Sequence, residues 1–242
     1  MSLPREANCL FPGYMSDERA LRRLWNRWQL VGQPIRQEIA GSRILDLAAH
    51  DGRWAYAAAV AGAGSVVAVE PRPELVQRFS DIFGGGSHER IHFECTDAQS
   101  YLELAVLNKE RFDIVFVLGF LYHTLEHMRM LSLIGALRPK LIVVDSEFVQ
   151  TDNPVIQLTR ERTDNPLNAV SNFIGEKKAM VGIPSVGAME LYSDSMGYDL
   201  TWIDPAGLHL QNHAGLGDYV RTGRKRRQVC LLRPPTSSQI VT

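Results

Sequence analysis

The sequence predicts an α/β fold built on a mostly parallel sheet with helices on both faces, and three observations carry that expectation. Residues 43–78 read as strand, tight turn, helix, second strand ending in an acid, and second helix, which is half of a nucleotide-binding α/β domain. Short apolar runs such as SVVAV, DIVFVL and LIVV recur without polar alternation, as in parallel strands covered on both faces. Polar and acidic residues gather where those runs end, and ligands of open α/β sheets bind at that edge.

In the opening unit, Ile44, Leu45, Leu47 and Ala48 flank the single acid Asp46, and Gly52 closes the turn. Residues 54–61, rich in alanine, form the crossover helix. Ser65-Val-Val-Ala-Val-Glu70 returns as the next strand with its only charge at the C-terminal end, where a carboxylate can accept hydrogen bonds from both hydroxyls of a ribose. The turn Asp46-Leu-Ala-Ala-His-Asp-Gly52 does not fit the G-x-G-x-x-G fingerprint, whose glycines let backbone amides approach a pyrophosphate. S-adenosylmethionine has a ribose and an adenine but no phosphate. Its turn needs one close backbone approach, which Gly52 can supply, and tolerates small residues such as Ala48 and Ala49.

This stretch resembles the class I S-adenosylmethionine-dependent methyltransferases, whose first motif is a hydrophobic strand, an acid and a glycine-rich turn. Two of the usual three glycine positions are Ala48 and His50 here. The resemblance implies a Rossmann-like sheet closed by an antiparallel C-terminal strand, and S-adenosylmethionine as cofactor. It places Glu70 on the ribose and Ala48 and Gly52 along the methionine portion. Asp97 falls on the adenine amine and Ala98 under the ring, and Asp46 and Leu118, in their own strands, complete the cofactor-binding set. Residues 112–124, FDIVFVLGFLYHT, resemble the fourth motif of the class. They are similar in particular to the branch of the wobble-uridine tRNA carboxymethyltransferases and their small-molecule relatives, where a strand ends in Gly-Xaa-Leu-Tyr-His. Asp51-Gly52 also suits that branch, and the resemblance covers residues 43–148.

The remaining elements follow in order. Residues 71–79 form a helix begun by proline, residues 83–88 (FGGGSH) a flexible connection and residues 91–95 a strand. Asp97 also suits the N-cap of a helix over Ala98–Leu107. A helix over 125–137 and a strand over 140–147 come next. Asp145 and Glu147 lie near the catalytic edge, where they could bind a cation or steer a substrate hydroxyl, but they read rather as solvated or hydrogen-bonded strand-end acids; His123 is the one obvious further ligand, and no metal is expected. Residues 149–183 read as a substrate-covering insertion with short elements of its own. A helix over 184–196 precedes strands over 199–203 and 228–232, the antiparallel pair that the class implies.

Chemistry falls to His123, beside Tyr122, as the catalytic base for a hydroxyl acceptor; the competing reading is that it only lines the cofactor's methionine end or hydrogen-bonds within the core. His50 has two readings, a contact to the cofactor's amino-acid portion or a surface loop residue. The run Arg224-Lys225-Arg226-Arg227 could neutralise phosphates or form a solvated hairpin between the last strands.

Residues 1–42 read as an N-terminal arm, irregular over 1–14, followed by an amphipathic helix. Its Leu21, Leu24, Trp25 and Trp28 either close a lid or pack on the domain with Arg19, Arg22, Arg23 and Arg27 solvated. Residues 43–242 form the methyltransferase domain. A chain of 242 residues, 45% hydrophobic, with net charge −1 and pI near 6.7, suits one globular domain rather than a nucleic-acid or membrane surface. With neither a membrane span nor a signal layout, the expected compartment is cytoplasmic. Cys9, Cys95 and Cys230 have no metal spacing, and Cys95 and Cys230 read as buried strand thiols. The carboxymethyltransferases carry a substantial N-terminal extension that 42 residues do not reproduce. The expected function is therefore methyl transfer to a small-molecule acceptor at oxygen. The alternatives are an RNA methyltransferase using residues 224–227 and a catalytically silent partner protein.

Overall fold

The computed structural model of the chain describes residues 3–83, 89–165, 167–171, 175–206 and 214–235. Its strands are β1 (Arg43–Leu47), β2 (Ser65–Val69), β3 (Ile91–Glu94), β4 (Ile114–Leu118), β5 (Leu141–Val149), β6 (Ile156–Arg162), β7 (Lys178–Pro184), β8 (Asp199–Ile203) and β9 (Lys225–Arg233). Its helices are α1 (Arg5–Leu10), α2 (Glu18–Val31), α3 (Arg36–Ile39), α4 (Arg53–Val60), α5 (Pro73–Ile82), α6 (Ala98–Leu107), α7 (His127–Ala136), α8 (Val186–Ser195) and α9 (Gly217–Val220).

Among the described residues, seven strands form one sheet in the order β3-β2-β1-β4-β5-β9-β8. The first five of these are parallel, and β9 runs antiparallel to both β5 and β8. The order reverses between β1 and β4, and a crevice opens at the carboxyl ends of strands at such a reversal. Register brings those ends level: Leu47 pairs with Val69 on one side and Val117 on the other.

Side-chain alternation divides the core between two layers. Ile44, Phe116 and Val143 pack with Leu24, Trp28 and Trp54 of α2 and α4, while Leu45, Val115 and Ile142 pack with Leu102, Leu131 and Ile134 of α6 and α7. Proline at the first turn of α5 and the Asp97 and Ser185 caps of α6 and α8 set those helix starts.

The segment expected to be irregular, residues 1–14, contains α1 and a 3-10 turn, Pro12–Tyr14. Ala7, Leu10 and Phe11 are buried with the α2 and α4 side chains; six helical residues are too few to show a period in sequence. Cys95 is exposed, because β3 stops at Glu94, whereas Cys230 is buried. The last strand begins at Lys225 rather than 228, because β5 extends to Val149 and offers Glu147, Phe148 and Val149 as partners to Arg227, Arg226 and Lys225. The basic run is therefore largely strand and not a hairpin between strands. The expected flexible connection lies mostly at 84–88, outside the described residues, as do Pro166 and Asn172 of the insertion.

Within residues 149–183, β6 and β7 pair as a separate antiparallel ribbon. No helix of the described residues is long and apolar enough to cross a membrane.

Candidate active site

The turn after β1 keeps a glycine-rich backbone without the glycines. Ala48 and His50 both have φ of 55°, and Gly52 has 73°. A left-handed conformation costs a residue with a Cβ roughly 1–2 kcal/mol. The turn is fixed by hydrogen bonds from Ala49 N to Val69 O and from Gly52 N to Ala49 O, both 2.9 Å. A Cβ at Gly52 would lie 2.5 Å from Phe79 and 2.7 Å from Phe93, so tight packing beneath two aromatic rings, as well as its φ, calls for glycine there.

Two buried polar atoms in this turn have no hydrogen-bond partner among the described residues, Asp46 Oδ2 and His50 Nε2. Burial pushes the Asp46 carboxyl up to about 8; a backbone hydrogen bond from Ala55 opposes the rise and the Glu70 charge adds to it. Asp46 is thus largely protonated at pH 7. Arg53 Nη2 lies 2.8 Å from His50 Nδ1. Arg53 also donates to Asp51 at 2.6 Å, and Tyr14 Oη–H donates to the same carboxylate. Burial would raise Asp51, but hydrogen bonds from His50, Arg53 and Tyr14 and the Arg53 charge bring it below its usual range.

Glu70 follows β2 and is fully buried. Its carboxylate accepts from His50 N at 2.9 Å and from Arg72 Nε at 2.6 Å, which joins it to the first turn. Asp46, Ala48, His50 and Glu70 therefore lie together at the carboxyl ends of β1 and β2. The orphaned atoms, the small side chain at Ala48 and the acid at the strand tip fit a ligand with a ribose and a charged amino-acid end. Asp97 accepts from Ser100 N at 2.9 Å as the cap of α6, with Ala98 buried behind it. Leu118, also buried, ends β4 opposite Asp145.

Asp145 is the centre of a network that sequence reading missed. Its carboxylate accepts from Arg227 Nε at 2.7 Å, from Arg27 Nε at 3.2 Å and from Tyr219 Oη–H at 2.8 Å. Burial would raise this acid, but Arg227 and Arg27 hold it at about 2. Arg27 also lies 4.8 Å over the Trp54 ring, and Arg227 donates to Tyr122 Oη at 3.0 Å. The expected solvated arginine at 27 is instead buried, and Trp28 beside it sits in the core. A lone acid in LIVVDS was a signal that a cation must reach it. Arg227, the last cation of the basic run, turns inward to that acid, and Lys225 pairs with Glu147 at 3.3 Å.

His123 lies in the 3-10 turn Leu121–His123 that follows Gly119 and β4. Its Nδ1 is 2.6 Å from Oε2 of Glu161 on β6. His123 draws the Glu161 carboxyl below its usual range by hydrogen bond and charge, against the opposing effect of burial. Nothing in the sequence signals this pairing across 38 residues. Among the described residues, no group of three or more His, Cys, Asp or Glu is placed to hold a metal ion.

Residues 44–139 match the family described as a methyltransferase domain. A tRNA U34 carboxymethyltransferase of Chromohalobacter salexigens is 29% identical over 143 residues, covering 56% of this chain and 41% of that protein. The chain thus spans less than half the length of that relative. Its structure is similar to the N-terminal domain of EvdMO1 in the presence of SAH and D-fucose, with TM-score 0.65, 16% identity and coverage of 84% of this chain and 81% of that one. It is also similar to the cyclase SpnF, with TM-score 0.57, 16% identity and coverage of 93% and 85%. A fold hosts more than one chemistry, and the site decides between them. The fold is that of the class I S-adenosylmethionine-dependent methyltransferases, and residues 44–139 carry the match to a methyltransferase domain.

Proposed function

We propose that the chain transfers a methyl group from S-adenosylmethionine to the oxygen of a small-molecule acceptor. The observation that carries this reading is the junction of the first turn with the end of β2, where Glu70 is tied to that turn through His50 N and the neutral Asp46 keeps an orphaned oxygen. Glu70 would hold the ribose, with Asp97 and Ala98 at the adenine. Asp46 and Ala48 would lie along the methionine portion, with Gly52 shaping the turn and Leu118 lining the strand end. S-adenosylmethionine supplies a methyl group on a sulfonium. The chain's task is to align an acceptor with that group and exclude water. His123, at the carboxyl edge of β4, would take the acceptor's proton. The similarity to a domain studied with SAH and D-fucose supports a small hydroxylated acceptor. Burial of Arg227 and pairing of Lys225 with Glu147 leave less of the basic run free for RNA. Three free cysteines suit the reducing cytoplasm proposed as its compartment.

Calorimetric titration of protein stripped of bound ligand tests the reading. Saturable binding of S-adenosylmethionine, with none of NAD, is the expected result. Failure of folded protein to bind S-adenosylmethionine would overturn it.

A further inference from the structure

We propose that Glu161 is a positioning residue that makes Nε2 of His123 the base for methyl transfer, an inference that rests on the functional reading above. The 2.6 Å contact between Glu161 Oε2 and His123 Nδ1 joins the inserted ribbon to the carboxyl edge of β4. The same oxygen accepts from Ala169 N at 3.0 Å. An ionised carboxylate can only accept, so Nδ1 must be the donor. The lone pair of the neutral ring is thereby left on Nε2, as in other histidines oriented by a carboxylate. The Tyr122 ring lies against the imidazole with centroids 4.0 Å apart, and the His123 and Glu161 side chains are only 10% and 18% exposed.

The ribbon that carries Glu161 is anchored independently of this contact. Gly182 N donates to Thr124 O, and His127 Nε2 donates to Gly182 O, both at 3.0 Å. Polar Gln157, Thr159 and Glu161 occupy the more buried face of β6, while Ile156 and Leu158 are exposed. The inner face is mixed, because Gln157, Thr159 and Glu161 pair directly with the buried Ile183, Val181 and Ala179 of β7. In the proposed step, the acceptor oxygen bonds to the methyl carbon and its proton passes to Nε2. The carbon–sulfur bond breaks with its electron pair left on sulfur, and the Glu161 carboxylate meets the new imidazolium charge.

Long-range proton–nitrogen NMR of the imidazoles tests this without an acceptor. In the unaltered chain, His123 should show a protonated Nδ1 and an unprotonated Nε2, the reverse of the tautomer that a free histidine favours. Glu161→Gln should shift the signal toward the Nε2–H form, and Glu161→Asp should restore it. Amide exchange in β7 should stay unchanged in both variants. An unchanged tautomer in Glu161→Gln, or a tautomer change accompanied by lost protection throughout β7, would overturn the inference in favour of an idle or merely structural contact. Calorimetry with S-adenosylmethionine separates the two proposals. If the unaltered chain fails to bind it while the tautomer responds as stated, the functional reading falls and the His123–Glu161 pairing stands.

Discussion

Asp145 of β5 and Arg227 of β9 meet at 2.7 Å in the buried interior, where the parallel part of the sheet gives way to the antiparallel pair. Arg27 from α2 reaches the same carboxylate, so the N-terminal segment and the last strand share one anion. Replacing Asp145 by Asn should destabilise the fold by about 3–5 kcal/mol, because two guanidiniums lose their buried counter-charge. Denaturant midpoints at neutral pH measure this.

The same acid predicts part of the acid limb. Its pKa in the folded chain is about 2 against 3.8 unfolded. Its stabilisation is therefore complete above 3.8 and disappears as pH falls from 3.8 through about 2. Unfolding free energies of the unaltered chain and Asp145→Asn should converge over that window.

Asp46 acts in the opposite sense. Its pKa rises from 3.8 to about 8 on folding, so the folded state holds a proton that the unfolded state has lost, and stability falls as pH rises across that interval. Asp46→Asn keeps the shape and removes the titration. Its stability advantage over the unaltered chain should grow as pH rises from about 4 to about 8, and should vanish near pH 4. A parallel pH dependence in both proteins would contradict this account.

The first turn predicts two substitutions of opposite sign. Gly52→Ala places a Cβ against Phe79 and Phe93 at positive φ and should lose about 1–3 kcal/mol. Ala48→Gly relaxes a left-handed alanine and should be neutral or stabilising by up to roughly 1 kcal/mol. Thermal unfolding of the pair reads both.

Glu70→Gln should weaken S-adenosylmethionine binding at least about tenfold if the carboxylate holds the ribose, since a charge-assisted hydrogen bond is worth roughly 1.5–3 kcal/mol. Equal affinity in folded protein, measured by calorimetry, would remove Glu70 from the site.

Much of this architecture was legible because parallel strands announce themselves. ILDL, SVVAV, IVFVL and LIVVD are short, apolar and spaced by helices, so the order of β1 to β5 and the acid after β2 could be read directly. The backbone of the first turn was less accessible. Ala48 and His50 hide a glycine-like path, because φ is set by the surrounding packing rather than by the residue type. Arg27, Arg227 and Glu161 were hidden for another reason. Each meets a partner 38 to 118 residues away, and only the folded sheet brings such charges together. Gly52 was legible as a required glycine, but the rings that require it come from α5 and β3.

The outward face of the β6–β7 ribbon bears on how the chain avoids sticking to itself. Ile156, Leu158 and Met180 are exposed there, and β6 has no second strand partner within its two-stranded sheet. Such an open edge invites a neighbouring molecule to add a strand. Arg160, Arg162 and Lys178 are exposed on the same ribbon, with Arg162 directly opposite Lys178. Exposed charges of this kind blunt an open strand edge, and on this one Arg162 is itself held by Asp164.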